Sequence, residues 1–84
     1  MNEKMTMNDG TEIRGHLAET ETRLFLYLYG ISMREAFDLL TDPQKTKYIQ
    51  WNRYGVTGET FGYTHLMSIS EEPGGMIGAS MKKD

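Results

Sequence analysis

The sequence predicts a small α+β domain, in which an antiparallel sheet of about five strands has one face covered by a broken helix. Three observations carry this prediction: a turn signal at Asp9-Gly10, a run of apolar and aromatic residues over 23–29, and a helix-start signal at Ser32. The expected element order is two strands, one strand, a helix in two pieces, and two strands.

The first unit is a hairpin, for which two turn types compete. A two-residue loop at Asp9-Gly10 would mix charged residues into the apolar face. A type I turn at Asn8-Asp9, with Gly10 in a left-handed bulge position, instead pairs Met5 with Ile13. The second register is preferred because it keeps the apolar residues on one side of the hairpin.

The next strand is predicted from Arg23 to Tyr29, because the segment is aromatic and apolar and ends at Gly30. Its residues fall into two rows on opposite faces. Three leucines form the row expected to face the helix. The other row, which we call the aromatic row, consists of Phe25, Tyr27 and Tyr29.

A helix is expected from Ser32, because Ser32 and Glu35 fit a capping box. Pro43 interrupts it and is placed to begin a second short helix, which we predict over 43–50. The segment 55–58 is predicted to form a loop.

The last part of the chain is predicted to be a strand hairpin. Every second residue from Phe61 to Ile69 falls on one mostly apolar face, which predicts one long strand. A turn at 71–75 contains Pro73-Gly74, and a final strand is expected from Met76 to Met81.

Composition indicates a single domain over 1–84, since 84 residues are too few for two cores. The chain has no cysteine, which excludes a disulfide-stapled secreted scaffold. Its net charge of −3 argues against a general nucleic-acid binder. It contains no apolar segment long enough for a membrane span and no signal-like N-terminus. We therefore expect a cytoplasmic protein without membrane contact.

Catalytic and metal-binding patterns are missing from the sequence. His16 and His65 are the only histidines and have no nearby residue of metal-ligand type. No nucleophile motif is present, and the glycines at 74 and 75 lack the lysine of a phosphate loop. The sequence thus predicts neither an enzyme, nor a metal site, nor a cofactor.

A basic, aromatic segment over 45–54 is the first candidate binding site. It combines cations with rings, as protein interfaces and nucleic-acid sites do. Its candidate contact residues are Lys45, Lys47, Tyr48, Trp51, Arg53 and Tyr54. The alternative is that Tyr48, Ile49 and Trp51 close the core while the lysines stay in water.

The aromatic row is the second candidate site. A sheet with helix on one face leaves the other face to solvent or to a partner. Phe25, Tyr27 and Tyr29 would then contact a partner; alternatively, these rings form the core and the leucines pack elsewhere.

Several short motifs resemble those of small phage and prophage proteins of Gram-positive bacteria. They are the segments 8–11 (NDGT), 42–46 (DPQKT) and 61–64 (FGYT). The resemblance implies an accessory protein of a mobile element, which inhibits a host system such as a CRISPR effector or takes part in virion assembly.

The function expected from these observations is a non-catalytic module that binds a host or phage protein and inhibits or adapts it. One alternative is a minor structural or assembly subunit of a phage, which would form a homo-oligomer through the same face. Another is a binder that sequesters a nucleotide between Trp51, Arg53, Tyr54 and the glycine-rich turn.

Overall fold

The computed structural model describes residues 3–83. Its strands are β1 (Lys4–Thr6), β2 (Glu12–Glu19), β3 (Arg23–Tyr29), β4 (Tyr48–Arg53), β5 (Val56–Phe61), β6 (His65–Glu72) and β7 (Met76–Lys82). The helices are α1 (Met33–Leu40) and α2 (Pro43–Thr46). All strand pairs are antiparallel, in one sheet of order β5-β4-β1-β2-β3-β7-β6.

The predicted α+β fold with five strands is wrong. Strands hold 56% and helices 15% of the described residues, in a single seven-stranded sheet. The helices are too short to cover a sheet of this size, since α2 is a single turn of four residues. Instead, the sheet encloses much of its own core.

The hairpin prediction is confirmed. Met5 pairs with Ile13, and the Met7 amide donates a 2.8 Å hydrogen bond to the carbonyl of Thr11. Gly10 has a φ of +91°, which suits the bulge position. The Asp9 carboxylate accepts a hydrogen bond from the Thr11 amide, and this bond holds the pKa of Asp9 below its usual value.

The strand predicted over 23–29 is confirmed as β3, and its leucine row is buried. Leu24, Leu26 and Leu28 are almost inaccessible, and they pair across the sheet with residues of β2 and β7. β3 is an interior strand but not the middle one, because β2 has three strands on either side.

Helix α1 begins as predicted. The Ser32 hydroxyl accepts from the Glu35 amide, and the Glu35 carboxylate accepts from the Ser32 amide, at 3.1 and 3.4 Å. Ala36, Leu39 and Leu40 form the buried side of α1 and join the core.

The second helix ends earlier than predicted. It stops at Thr46, and Tyr48 begins strand β4, which pairs with the otherwise free edge of β1. The segment alternates between the two faces of the sheet, so its period is that of a strand. A hydrogen bond of 3.0 Å from the Asn8 amide to the carbonyl of Lys45 links α2 to the first hairpin.

The loop predicted over 55–58 is also replaced by a strand. Tyr54 and Gly55 have φ values of +54° and +81°, which is the pattern of a two-residue hairpin turn. Val56 therefore already belongs to β5, which pairs along its whole length with β4.

The long strand predicted from Phe61 to Ile69 is broken into β5 and β6, which form the two edges of the sheet. Residues 62–64 connect them and can span at most about 14 Å. In a flat sheet, seven strands would put the two edges about 29 Å apart. The sheet must therefore be rolled so that its edges approach each other.

Tyr63 lies in this connection and is completely buried. Its hydroxyl donates a 2.7 Å hydrogen bond to the carboxylate of Glu19, at the end of the middle strand. Burial, with the hydrogen bond to Glu19, raises the pKa of Tyr63 to about 12. The ring thus ties the connection between the edges to the centre of the sheet.

Gly15 brings β2 and β3 together. Its φ is +156°, and a Cβ at this position would overlap the carbonyl oxygen of Tyr27. Only glycine therefore fits between these two interior strands.

Replacing Gly15 with alanine is expected to lower the free energy of unfolding by about 3 kcal/mol, through steric overlap and backbone strain. Urea unfolding measures this loss. Gly30→Ala is the control, because Gly30 also has a positive φ of +69° but nothing lies within 4 Å of the added methyl group. We expect about 1 kcal/mol there, and equal losses in both variants would contradict the close approach at Gly15.

Replacing Tyr63 with phenylalanine is expected to reduce stability by about 1–2 kcal/mol at neutral pH, since the bond to Glu19 is lost. The folded protein keeps the Tyr63 proton up to a pKa of about 12, whereas the unfolded chain loses it near 10.0. Rising pH in this window favours the unfolded state of the parent protein through Tyr63, and the Tyr63→Phe variant lacks this contribution.

The stability difference between the parent and Tyr63→Phe should therefore shrink from about pH 9 to about pH 11.5 in urea unfolding. Tyr54→Phe is the control, since Tyr54 is 65% exposed. A difference that stays constant with pH would show that the Tyr63 hydroxyl is not held as described.

Candidate functional site

The sheet has a core face and an opposite face, which we call the outer face. Residues directly opposite each other on antiparallel strands share a face. The aromatic row lies on the outer face, where Phe25, Tyr27 and Tyr29 stand opposite Ala18, His16 and Arg14 of β2. Phe25 and Tyr27 are partly buried, and Tyr29 is 37% exposed.

His16 packs against the aromatic row. Its ring is stacked on that of Tyr27 at a centroid distance of 5.0 Å, and it lies 6.2 Å from the ring of Tyr29. The three rings form a continuous surface on neighbouring strands, which is rigid because both strands are interior to the sheet.

A cleft of about 380 Å³ adjoins this surface. We call it the arginine cleft. Six side chains line it: Glu3, Arg14, His16, Tyr29, Arg53 and Tyr54. They come from the residue before β1, from β2, from β3, from the end of β4 and from the β4–β5 turn, so that the cleft exists only in the folded sheet.

Glu3 organises one wall of the cleft. One carboxylate oxygen lies 3.2 Å from Nε of Arg53, and the other lies 3.1 Å from Nδ1 of His16. The contact with His16 is close but is not aligned as a hydrogen bond. Because the Glu3 side chain is only 13% exposed, water screens its charge weakly, which strengthens its attraction for Arg53.

Arg53 is held from two sides. Besides the contact with Glu3, its guanidinium carbon lies 5.7 Å from the centre of the Tyr54 ring. A cation over an aromatic face is attracted by the ring electrons. This arrangement limits the positions of the guanidinium group while leaving its terminal nitrogens free of Glu3.

The basic segment 45–54 does not form one site, because its cations lie at opposite ends of β4. Arg53 and Tyr54 reach the arginine cleft, whereas Lys45 and Lys47 lie at α2, before the other end of β4. Lys45 is 4.0 Å from the carboxylate of Asp9, a long ion pair that contributes little stability.

Tyr48 lies at the far end of the outer face. Its ring is 5.1 Å from that of Phe61, its cross-strand partner on the edge strand β5. Desolvation, followed by the nearby Glu59 carboxylate, raises the pKa of Tyr48 above its usual value. Tyr48 and Phe61 form a second aromatic pair that is separate from the aromatic row.

Trp51 points to the core face. It pairs with Met5 on β1 and packs against the core, and its indole lies over Gly58 so closely that a Cβ there would overlap the ring. This matches the alternative in which Trp51 closes the core.

Sequence reasoning missed three residues of the cleft: Glu3, Arg14 and His16. The predicted hairpin register already placed Arg14 on the side opposite Met5 and Ile13. What was missing was the pairing of β2 with β3, which puts Arg14 and His16 next to the aromatic row.

Residues proposed as a nucleotide site are not assembled in one place. Gly75 of the glycine-rich turn lines a cleft with Ile31 and Met33 at the start of α1, while Arg53 and Tyr54 line the arginine cleft. Over residues 3–83, no group of three or more His, Asp or Glu side chains is arranged to hold a metal ion. None of the described helices is long and apolar enough to cross a membrane.

Comparisons of the chain with protein-family models, with curated proteins and with solved structures found no match. Function is therefore inferred from the chemistry of the site.

Replacing Trp51 with alanine is expected to lower the free energy of unfolding by about 2 kcal/mol, because a partly buried indole is removed from the core. Tyr54→Ala, on the exposed turn next to it, should change stability by less than about 0.5 kcal/mol. Chemical unfolding of both variants distinguishes them. Equal stability of the two would place Trp51 outside the core.

Proposed function

We propose that this chain is a non-catalytic protein-binding module, which docks an acidic segment of another protein on the aromatic row and the arginine cleft. The observation that carries the proposal is the convergence of Tyr29, Arg53 and Tyr54, predicted separately as contact residues, on one cleft. Tyrosine and arginine are the residue types that dominate binding energy at protein interfaces.

Charge supports an acidic partner. The whole chain has a net charge of −3, yet the arginine cleft holds two arginines against a single glutamate. That glutamate already faces Arg53 and His16. An acidic segment would be attracted to this cleft by its local excess of positive charge.

Rigidity supports binding without rearrangement. Tyr27 and Tyr29 stand on an interior strand, and Arg53 is held by Glu3 and Tyr54. Groups fixed before binding lose little conformational entropy when a partner arrives. The surface is therefore suited to docking a folded or extended partner segment.

The proposal extends to the biological role of the chain, as an accessory protein of a mobile element. The resemblance of the motifs at 8–11, 42–46 and 61–64 to phage accessory proteins favours a mobile-element protein that inhibits or adapts a host protein in the cytoplasm. A virion assembly subunit and a homo-oligomer through the same face are the competing roles, and photo-crosslinking distinguishes them.

A photo-crosslinking residue, p-benzoylphenylalanine, at position 29 is expected to capture one protein in a Gram-positive host cell. Mass spectrometry should locate the adduct in a segment rich in Asp and Glu. The same residue at position 37 is the control, because Phe37 is an exposed aromatic residue on α1, away from the cleft. Position 37 should capture none of that protein.

Charge reversal tests the chemistry of docking. Arg14→Glu or Arg53→Glu should lower the crosslink yield from position 29 about tenfold, whereas Arg34→Glu, on α1, should leave it unchanged. Adducts with a second copy of this chain would favour the homo-oligomer instead. Equal capture from positions 29 and 37 would contradict docking at the cleft.

A further inference from the structure

We infer that the arginine cleft is an oxyanion-binding site, in which the guanidinium groups of Arg14 and Arg53 hold a carboxylate or phosphate group. This inference rests on the proposed function only in assigning the anion to a protein partner. The site itself can be tested with free anions.

The balance of charge in the cleft favours an anion. Glu3 is its one carboxylate, and both of its oxygens face positively charged or ionisable neighbours, at 3.2 Å from Arg53 and 3.1 Å from His16. It offsets much of the charge of Arg53, and the second arginine, Arg14, has no such carboxylate beside it among the described residues. The cleft therefore carries a net positive charge, which is what a ligand meets.

Donor groups remain available for a ligand. Arg53 contacts Glu3 through Nε, which leaves its two terminal nitrogens. Arg14 has no ion-pair partner among residues 3–83. Guanidinium groups bind carboxylates and phosphates through paired, parallel hydrogen bonds, and two of them can hold one anion from two directions.

One of the two arginines is preorganised for this task. Glu3 and the Tyr54 ring fix the guanidinium of Arg53, and the interior strand β2 fixes the backbone of Arg14. A surface arginine without such support would have to be ordered by the ligand, which weakens binding.

The size of the cleft indicates what kind of molecule carries the anion. Its volume of about 380 Å³ lies in the range of clefts that hold ligands of many atoms. A single inorganic anion would leave most of this space to water. The exposed rings of Tyr29 and Tyr54 border the remainder, so the cleft fits an oxyanion carried on a larger molecule, such as an acidic side chain and its neighbours.

The test is a titration of the ¹⁵N-labelled full chain with inorganic phosphate and, in a second arm, with acetate, at ionic strength held constant with sodium chloride. We expect saturable shifts of the Arg14 and Arg53 Nε–H signals and of the Gly15 amide, with Kd of roughly 1–10 mM. Saturation by either anion supports the site. Saturation by acetate assigns it to carboxylates, and saturation by phosphate alone assigns it to phosphoryl groups.

Variants then assign the binding to the two guanidiniums. Arg14→Gln should weaken binding at least about fivefold. Arg53→Lys should also weaken it, because lysine retains the charge facing Glu3 but lacks the paired donors. Arg34→Gln removes the same charge from α1, where the side chain is 87% exposed, and should not change the affinity.

Linear shifts without saturation, or equal weakening by Arg34→Gln, would overturn the inference and show only non-specific attraction. The two proposals fail separately. Crosslinking at position 29 without anion binding would support the docking surface and contradict the oxyanion site. Anion binding without a crosslinked protein would support the oxyanion site and contradict the docking surface.

Discussion

The fold depends on one constraint, namely the three residues that connect the two edge strands of a seven-stranded sheet. Neighbouring strands all run antiparallel, so the first and seventh strands in the sheet order run in the same direction. The chain thus passes from β5 into β6 without turning back, and the sheet has to roll to let it do so. Rolling creates an interior that the sheet fills with its own side chains, and Tyr63 enters that interior from the connection itself.

Local signals in the sequence predict the parts of the fold that are decided locally. The hairpin at Asn8-Asp9-Gly10, strand β3 and the Ser32 capping box each depend on residues within a few positions of one another. Strand β4 depends on a distant partner. After Pro43 the chain continues as a helix for one turn. The segment from Tyr48 becomes a strand because it pairs with the exposed edge of β1, which is far away in sequence.

The residues of the candidate site also divide into those that local sequence can indicate and those that depend on distant strand partners. Tyr29, Arg53 and Tyr54 could be selected by residue type, since tyrosine and arginine are enriched among the residues that dominate binding energy at interfaces. Glu3, Arg14 and His16 could not, because their importance comes from strand neighbours that no local pattern reveals. Trp51 shows the converse: its residue type suggests an interface, but the register with Met5 turns it toward the core.

The order of strands has a consequence for how the chain reaches this structure. The first three strands form a local meander, and the hairpins β4–β5 and β6–β7 attach to its two sides by pairing Lys4 with Asn52 and Leu24 with Met81. Each attachment closes a long loop, and chain entropy is lost before the new strand contacts can offset it. Such long-range pairing is characteristic of slowly folding β topologies. Until the hairpins arrive, β1 and β3 are open edges able to pair with other chains. The chain is therefore exposed to edge-to-edge association until both hairpins have paired with the meander.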